Sequence, residues 1–128
     1  MTDKFKDLVE RLLKKTEAKT AIWAKSSLAN EFKLVLSKGA ITTDSWHDSN
    51  TGEDLVDLRI LNENGDIVED ITFNKSEYPN GYGMLQQLHS AARRSYYKVD
   101  ETIDSIFKEL DSDKTIGKRA DESSDLPF

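Results

Sequence analysis

Apolar and polar residues alternate along most of the segment from residue 20 to residue 74, with short polar breaks between the alternating runs. A period of two is typical of β-strands that bury one face, because successive side chains point to opposite sides of a strand. Asn64 and Gly65 form a two-residue hairpin signal between two such runs. The pattern predicts four or five antiparallel strands in a meander. The predicted strands cover residues 20–25, 31–37, 40–46, 56–60 and 67–73.

A helical pattern precedes these strands. Its apolar residues recur at spacings of three and four, which place them on one face of an amphipathic helix. They are Phe5, Leu8, Val9, Leu12 and Leu13. The side chain of Thr2 or Asp3 is suitably placed to cap the start of this helix.

A longer helical pattern follows the strands, after a break at residues 79–81. Its apolar residues recur in alternating steps of three and four and form one seam. The seam consists of Leu85, Leu88, Ala92, Tyr96, Val99, Ile103, Ile106 and Leu110. The spacing predicts one long helix or two helices end to end. Because the seam exceeds what a small sheet face needs, we expect its distal part to pack on the first helix or on a second subunit.

These patterns together predict an α+β fold, with an N-terminal helix, a four- to five-stranded antiparallel meander, a long C-terminal helix and a disordered acidic tail. We expect residues 1–110 to form a single α+β domain and residues 111–128 to form a flexible acidic tail, since the tail has few apolar residues and no periodicity. The strand order argues against the OB-fold, whose helix normally lies between its third and fourth strands.

Charge and composition exclude several classes of protein. The net charge is −6, and residues 1–110 carry 15 basic and 19 acidic residues. An acidic body is a poor non-specific binder of nucleic acid, because Lys and Arg supply the affinity for the phosphate backbone. The chain lacks cysteine, which excludes disulfides, thiol nucleophiles and thiolate metal sites. No apolar run approaches a membrane span and no signal-peptide pattern is present, so we expect a cytoplasmic protein.

Few residues in the sequence could carry catalysis. The two histidines are His47, which stands beside acidic residues, and His89, which flanks the helical seam and is expected to be half-buried. Residues 48–52 resemble a calcium loop only in part, because the glycine falls one position early and Arg59 stands where an EF-hand has Glu. No phosphate-binding glycine loop or nucleophile elbow is present. We therefore expect no enzymatic activity, no cofactor and no metal site.

The last four residues of the sequence are Asp125, Leu126, Pro127 and Phe128, and acidic residues precede them. This ending resembles the C-terminal tip of bacterial single-stranded DNA-binding protein, an acidic stretch that closes in Asp, Ile or Leu, Pro and Phe with a free carboxylate. The resemblance implies docking into the pocket that genome-maintenance proteins use for that tip. The implied partner-binding residues are Asp121, Glu122, Asp125, Leu126, Pro127 and Phe128.

Several features of the body occur together: an early helix, Trp23 in the first predicted strand, a hairpin at residues 62–66, and a final helical pattern over residues 85–110. In these features the body resembles a widespread group of small uncharacterised bacterial proteins. That resemblance brings no activity and no site residues with it. It supports a bacterial origin for the chain.

One basic cluster is interleaved with aromatic residues, a combination that binds single strands through stacking and phosphate contacts. It contains Arg93, Arg94, Tyr97 and Lys98. The leading hypothesis is a non-enzymatic bacterial accessory protein of DNA replication, recombination or repair that docks through its C-terminal tip. One alternative is a single-stranded nucleic-acid-binding protein that uses the sheet face and this cluster. Another is an interaction module of unknown purpose with an incidental tail.

Overall fold

A computed structural model describes residues 2–119 of the chain. Its elements are α1 (Asp3–Glu17), β1 (Ala24–Lys25), β2 (Phe32–Leu36), β3 (Gly39–Asp48), β4 (Glu53–Asn62), β5 (Ile67–Asn74), α2 (Pro79–Tyr96) and α3 (Val99–Leu110). The predicted α+β fold is confirmed, with one helix, five antiparallel strands and then two helices. The chain forms two compact units that divide between Tyr97 and Lys98, and each unit is described by itself.

Helix α1 begins and packs as its sequence predicts. The hydroxyl of Thr2 accepts a hydrogen bond from the backbone N–H of Phe5 at 3.2 Å, which caps the first turn. Along the buried face, the Thr16 hydroxyl donates to the carbonyl of Leu12 at 2.7 Å and accepts from the indole N–H of Trp23 at 3.0 Å. These bonds satisfy the polar atoms of two buried side chains and tie the chain after α1 back to that helix.

The five strands form one sheet in the order β1-β2-β3-β4-β5, so each strand pairs antiparallel with its neighbour in sequence. The predicted meander is therefore present. The first predicted strand, residues 20–25, shortens to Ala24–Lys25, whereas β3 and β4 each extend to ten residues. The sheet is consequently dominated by the long β3–β4 pair at its centre.

The β4–β5 hairpin forms where Asn64 and Gly65 predict it, but its loop has three residues instead of two. The N–H of Asn62 donates to the carbonyl of Asp66 at 2.9 Å and closes the loop. Gly65 has a φ of 86°, which a three-residue loop requires at this position. The side-chain oxygen of Asn62 also accepts from the N–H groups of Asn64 and Asp66, each at 3.0 Å. This carboxamide stabilises the longer loop.

Helix α2 packs across one face of the sheet and contacts α1. The core between these elements is one apolar cluster drawn from both helices and four strand or loop segments. Its buried members are Phe5, Val9, Leu12, Trp23, Phe32, Leu34, Ile41, Val56, Leu58, Leu85, Leu88 and Ala92. The sheet face that points away from α2 is called the outer face below.

The apolar seam after the strands runs along two helices, α2 and α3, and not along one long helix. Helix α2 ends at Tyr96, and Lys98 adopts a left-handed backbone with a φ of 53° before α3 begins. Leu85 and Leu88 are fully buried, whereas three seam residues of α3 are exposed, namely Ile103, Ile106 and Leu110. The expected packing of the distal seam, on the first helix or on a second subunit, stays a prediction.

Residues 111–119 follow α3 as an exposed segment without helix or strand. The remaining residues of the predicted tail, 120–128, lie outside the part of the chain that the structure describes. The predicted domain boundary after residue 110 also stays a prediction. Across residues 2–119, no helix combines the length and apolar character needed to cross a membrane.

Candidate functional site

The six predicted partner-binding residues all lie outside the described residues. They are Asp121, Glu122, Asp125, Leu126, Pro127 and Phe128. The structure does describe the chain that leads to them, which leaves α3 at Leu110 and continues through nine exposed residues.

The predicted aromatic and basic cluster is partly assembled at the C-terminal end of α2. The guanidinium carbon of Arg93 lies 5.3 Å from the centre of the Tyr97 ring, a cation–π contact along one helix flank. Tyr97 makes edge contacts with Tyr96 at 4.9 Å and with Phe32 at 6.1 Å. Lys25 adds its ammonium 5.4 Å from the Phe32 ring. Arg93 and Tyr97 both belong to the predicted cluster, whereas the contribution of Lys25 and Phe32 was not predicted.

The other two residues of this cluster are placed differently. Arg94 lies in the last turn of α2. Lys98 belongs to the second unit, where it immediately precedes α3 with a left-handed backbone. Helix α2 ends at Tyr96, so Lys98 does not continue it.

His89 is a structural residue of the core. Its Nε2–H donates to the backbone carbonyl of Asn30 at 2.6 Å, and its ring packs edge-on against Phe32 at 5.4 Å. Burial lowers the pKa of His89, so the neutral ring is favoured and the hydrogen bond fixes its tautomer. It is more completely buried than the half-buried position expected for it. His47, by contrast, is exposed, and its Nδ1 lies 2.8 Å from a carboxylate oxygen of Asp54.

The outer face carries a charged cluster that the sequence did not reveal. Cross-strand register sets Asp44 directly opposite Asp57, and in the next row it sets Arg59 between Thr42 and Asp70. Directly opposite residues in antiparallel strands have neighbouring side chains on the same face. The strand alternation alone would place Asp57 in solvent, but the register puts it among these neighbours, where it is 2% exposed.

Burial has a large effect on the Asp57 carboxyl group. The pKa of Asp57 rises from 3.8 to about 6, because desolvation disfavours its charged form more strongly than Arg59 and the Asp44 N–H favour it. The Asp44 N–H donates to Asp57 Oδ1 at 3.0 Å. Burial likewise raises the pKa of Asp44. The Nε atom of Arg59 lies 3.3 Å from Asp70 Oδ2 and 3.6 Å from Asp57 Oδ2, so one cation bridges two carboxylates.

The side chains of this cluster are not placed to hold a metal ion. Within residues 2–119, no three His, Cys, Asp or Glu side chains are placed to hold a metal ion together.

The outer face also has a pocket of about 220 Å³ near the hairpin turns. Its lining includes Lys33, Val35, Ala40, Leu61 and Glu63. This volume is below the roughly 300–1,000 Å³ of typical small-molecule sites.

Comparison of the chain with protein-family models, with curated proteins and with solved structures gives no match. A functional proposal for this chain therefore rests on its own residues and on the resemblance of its last residues to the tip described above.

Proposed function

We propose that this chain is a non-enzymatic accessory protein of bacterial DNA replication, recombination or repair, located in the cytoplasm. It docks through residues 125–128 into the pocket that genome-maintenance proteins use for the tip of single-stranded DNA-binding protein. The observation that carries the proposal is the sequence of that tip, in which Asp125 precedes Leu126, Pro127 and Phe128.

The chemistry of the tip explains how four residues can bind specifically. Phe128 offers an aromatic ring and, where it ends the chain, a carboxylate on the same residue. An apolar pocket with an Arg or Lys at its rim takes both groups at once. Pro127 fixes its own φ and biases Leu126 toward an extended backbone, so docking costs less conformational entropy.

The charge and placement of the neighbouring residues support the same proposal. Asp121, Glu122 and Asp125 would face the basic rim of such a pocket and would act mainly on the association rate and its salt dependence. Fourteen residues, 111–124, separate α3 from the tip. Fully extended, they reach at most about 50 Å, so the folded body stays close to the partner once the tip is bound. The body would be recruited there or would compete for the pocket.

Binding of single strands by the sheet is less consistent with the charges that the structure places there. The outer face carries Asp44, Asp57 and Asp70 against Lys33 and Arg59, and an acidic surface repels the phosphate backbone. The other face is covered by α2. Salt-dependent binding of a single-stranded oligonucleotide would instead support the nucleic-acid alternative.

A capture experiment with the full-length protein tests the proposal. Immobilised wild-type protein should retain purified helicases or nucleases that bind the single-stranded DNA-binding protein tip. Deletion of Phe128 should weaken that binding by roughly 30- to 1,000-fold, because anchor residues of this kind contribute about 2–4 kcal/mol. Amidation of the C-terminal carboxylate should also weaken it, whereas Asp125→Asn should mainly reduce its salt dependence. Full capture by the chain that lacks Phe128 would make the tail incidental.

A further inference from the structure

Helix α3 has an apolar face that stays half-exposed in the described part of its own unit, residues 98–119. Ile103, Ile106, Phe107 and Leu110 are spaced by three and four residues and therefore share one face of the helix. Each is between 40% and 56% exposed, although side chains of this type are usually buried. A 12-residue helix with four such residues on one side is typical of an element that completes its packing on another molecule.

The flanks of this apolar face are acidic. Asp104 lies one turn before Phe107 on one side of the face, and Glu109 lies one turn after Ile106 on the other. Over its length α3 has four acidic residues and only Lys108 as a base, which stands on the opposite side of the helix. A complementary surface must therefore have an apolar floor and positively charged edges.

A second copy of this chain does not provide such a surface through α3 alone. Two α3 helices packed face to face would bring their acidic flanks together, and like charges across an interface are unfavourable. The exposed apolar area is also small. Four half-exposed side chains supply roughly 100 Å² each, about 400 Å² per copy, whereas a stable interface buries about 800 Å² per partner. The helix therefore needs another contact to hold it in place.

We propose that α3 is a second docking element, whose apolar face enters an apolar groove edged by Lys or Arg on the same partner that takes the tip. This inference rests on the proposed function, because the tip supplies the additional contact that α3 needs. Once the tip is bound, the 14-residue connection makes docking of the helix an intramolecular step. The two weak contacts together then bind more tightly than either one alone.

Isothermal titration of full-length variants against a purified helicase or nuclease that binds the tip of single-stranded DNA-binding protein tests this inference. The double variant Ile106→Ser with Phe107→Ser removes the centre of the apolar face. Lys108→Ser introduces the same residue on the opposite side of α3 and serves as the matched control. We expect the double variant to bind at least ~10-fold more weakly and the control to stay within about two-fold of wild type. The combined change Asp104→Asn and Glu109→Gln should reduce the salt dependence of binding.

The possible outcomes separate the two contacts. If the double variant binds like wild type while deletion of Phe128 abolishes binding, the tip docks alone and the inference about α3 is wrong. If deletion of Phe128 has no effect while the double variant loses affinity, α3 docks and the proposed function of the tip fails. A wild-type dimer in sedimentation velocity that the double variant abolishes would identify a second copy as the occupant and overturn the inference. Absence of wild-type binding to every such partner would overturn both.

Discussion

Substitution by alanine should have different effects at two glycines in the first turns of α2, Gly81 and Gly83. A Cβ atom at Gly81 would lie 2.8–2.9 Å from three carbons of the Phe73 ring, whereas a Cβ at Gly83 would meet no atom within 4 Å. Carbon atoms in ordinary contact are about 3.5–4.0 Å apart, so Gly81→Ala requires a shift of roughly 0.7–1 Å. The Phe73 ring packs on Tyr78 at 5.7 Å between centres, and that contact opposes the shift.

The expected change in the free energy of unfolding follows from two opposing effects. Replacing a helical glycine by alanine favours the helix by up to about 1 kcal/mol at either position. Overpacking at Gly81 costs about 1–3 kcal/mol, and no such cost applies at Gly83. We therefore expect Gly83→Ala to stabilise the protein by about 0.5–1 kcal/mol and Gly81→Ala to be neutral or destabilising by up to about 2 kcal/mol.

Urea unfolding and thermal melting of the two variants measure this difference. One kcal/mol corresponds to about 3–6 °C in Tm for a chain of this size. Phe73→Leu removes two of the three ring carbons that the new Cβ would meet, Cε2 and Cζ. In a double-mutant cycle it should therefore recover part of the loss caused by Gly81→Ala and show no coupling to Gly83→Ala. Equal stability of the two alanine variants would refute the close contact between α2 and Phe73.

Two further predictions concern a buried charge and the helical seam. Because burial raises the pKa of Asp57 from 3.8 to about 6, the folded state binds this proton more tightly than the unfolded chain, so stability should rise as the pH falls from about 6 to about 4. Asp57→Asn should flatten the dependence of the free energy of unfolding on pH, as measured by urea unfolding at several pH values. At pH 7 it should raise that free energy by about 1–3 kcal/mol, and an unchanged pH dependence would contradict the raised pKa. Ile103→Asp should leave Tm almost unchanged because Ile103 is exposed, whereas Leu88→Asp should unfold the protein because Leu88 is fully buried. Similar losses of Tm in the two variants would contradict the different burial of these two seam residues.

Local patterns predict the elements of this fold well, since they depend on neighbouring residues. The apolar stripe of α1 and the cap at Thr2 can be read from spacing alone. The hairpin at Asn64 and Gly65 is also evident, but its three-residue loop depends on hydrogen bonds that the side-chain oxygen of Asn62 accepts, which spacing does not show. The break after Tyr96 likewise depends on one left-handed residue, Lys98, in an otherwise uninterrupted apolar period.

The charged cluster on the outer face depends on long-range register, which alternation does not specify. Asp57 alternates with apolar residues and looks solvent-exposed in the sequence. The pairing of β3 with β4 puts it opposite Asp44, and burial of its carboxyl group within the sheet raises its pKa. The proposed role of the tip does not depend on register, because it comes from a short linear motif that can be recognised in the sequence without knowledge of the fold.

Displacement of a labelled single-stranded DNA-binding protein tip peptide from a purified helicase or nuclease is the most direct test of the central proposal. Full-length wild-type protein should displace the peptide, and the chain without Phe128 should need at least ~30-fold higher concentration. Ile116→Ala removes an exposed apolar side chain from the segment that follows α3 and should compete like wild type. Equal displacement by wild type and by the chain without Phe128, or no displacement by either, would contradict docking through the tip.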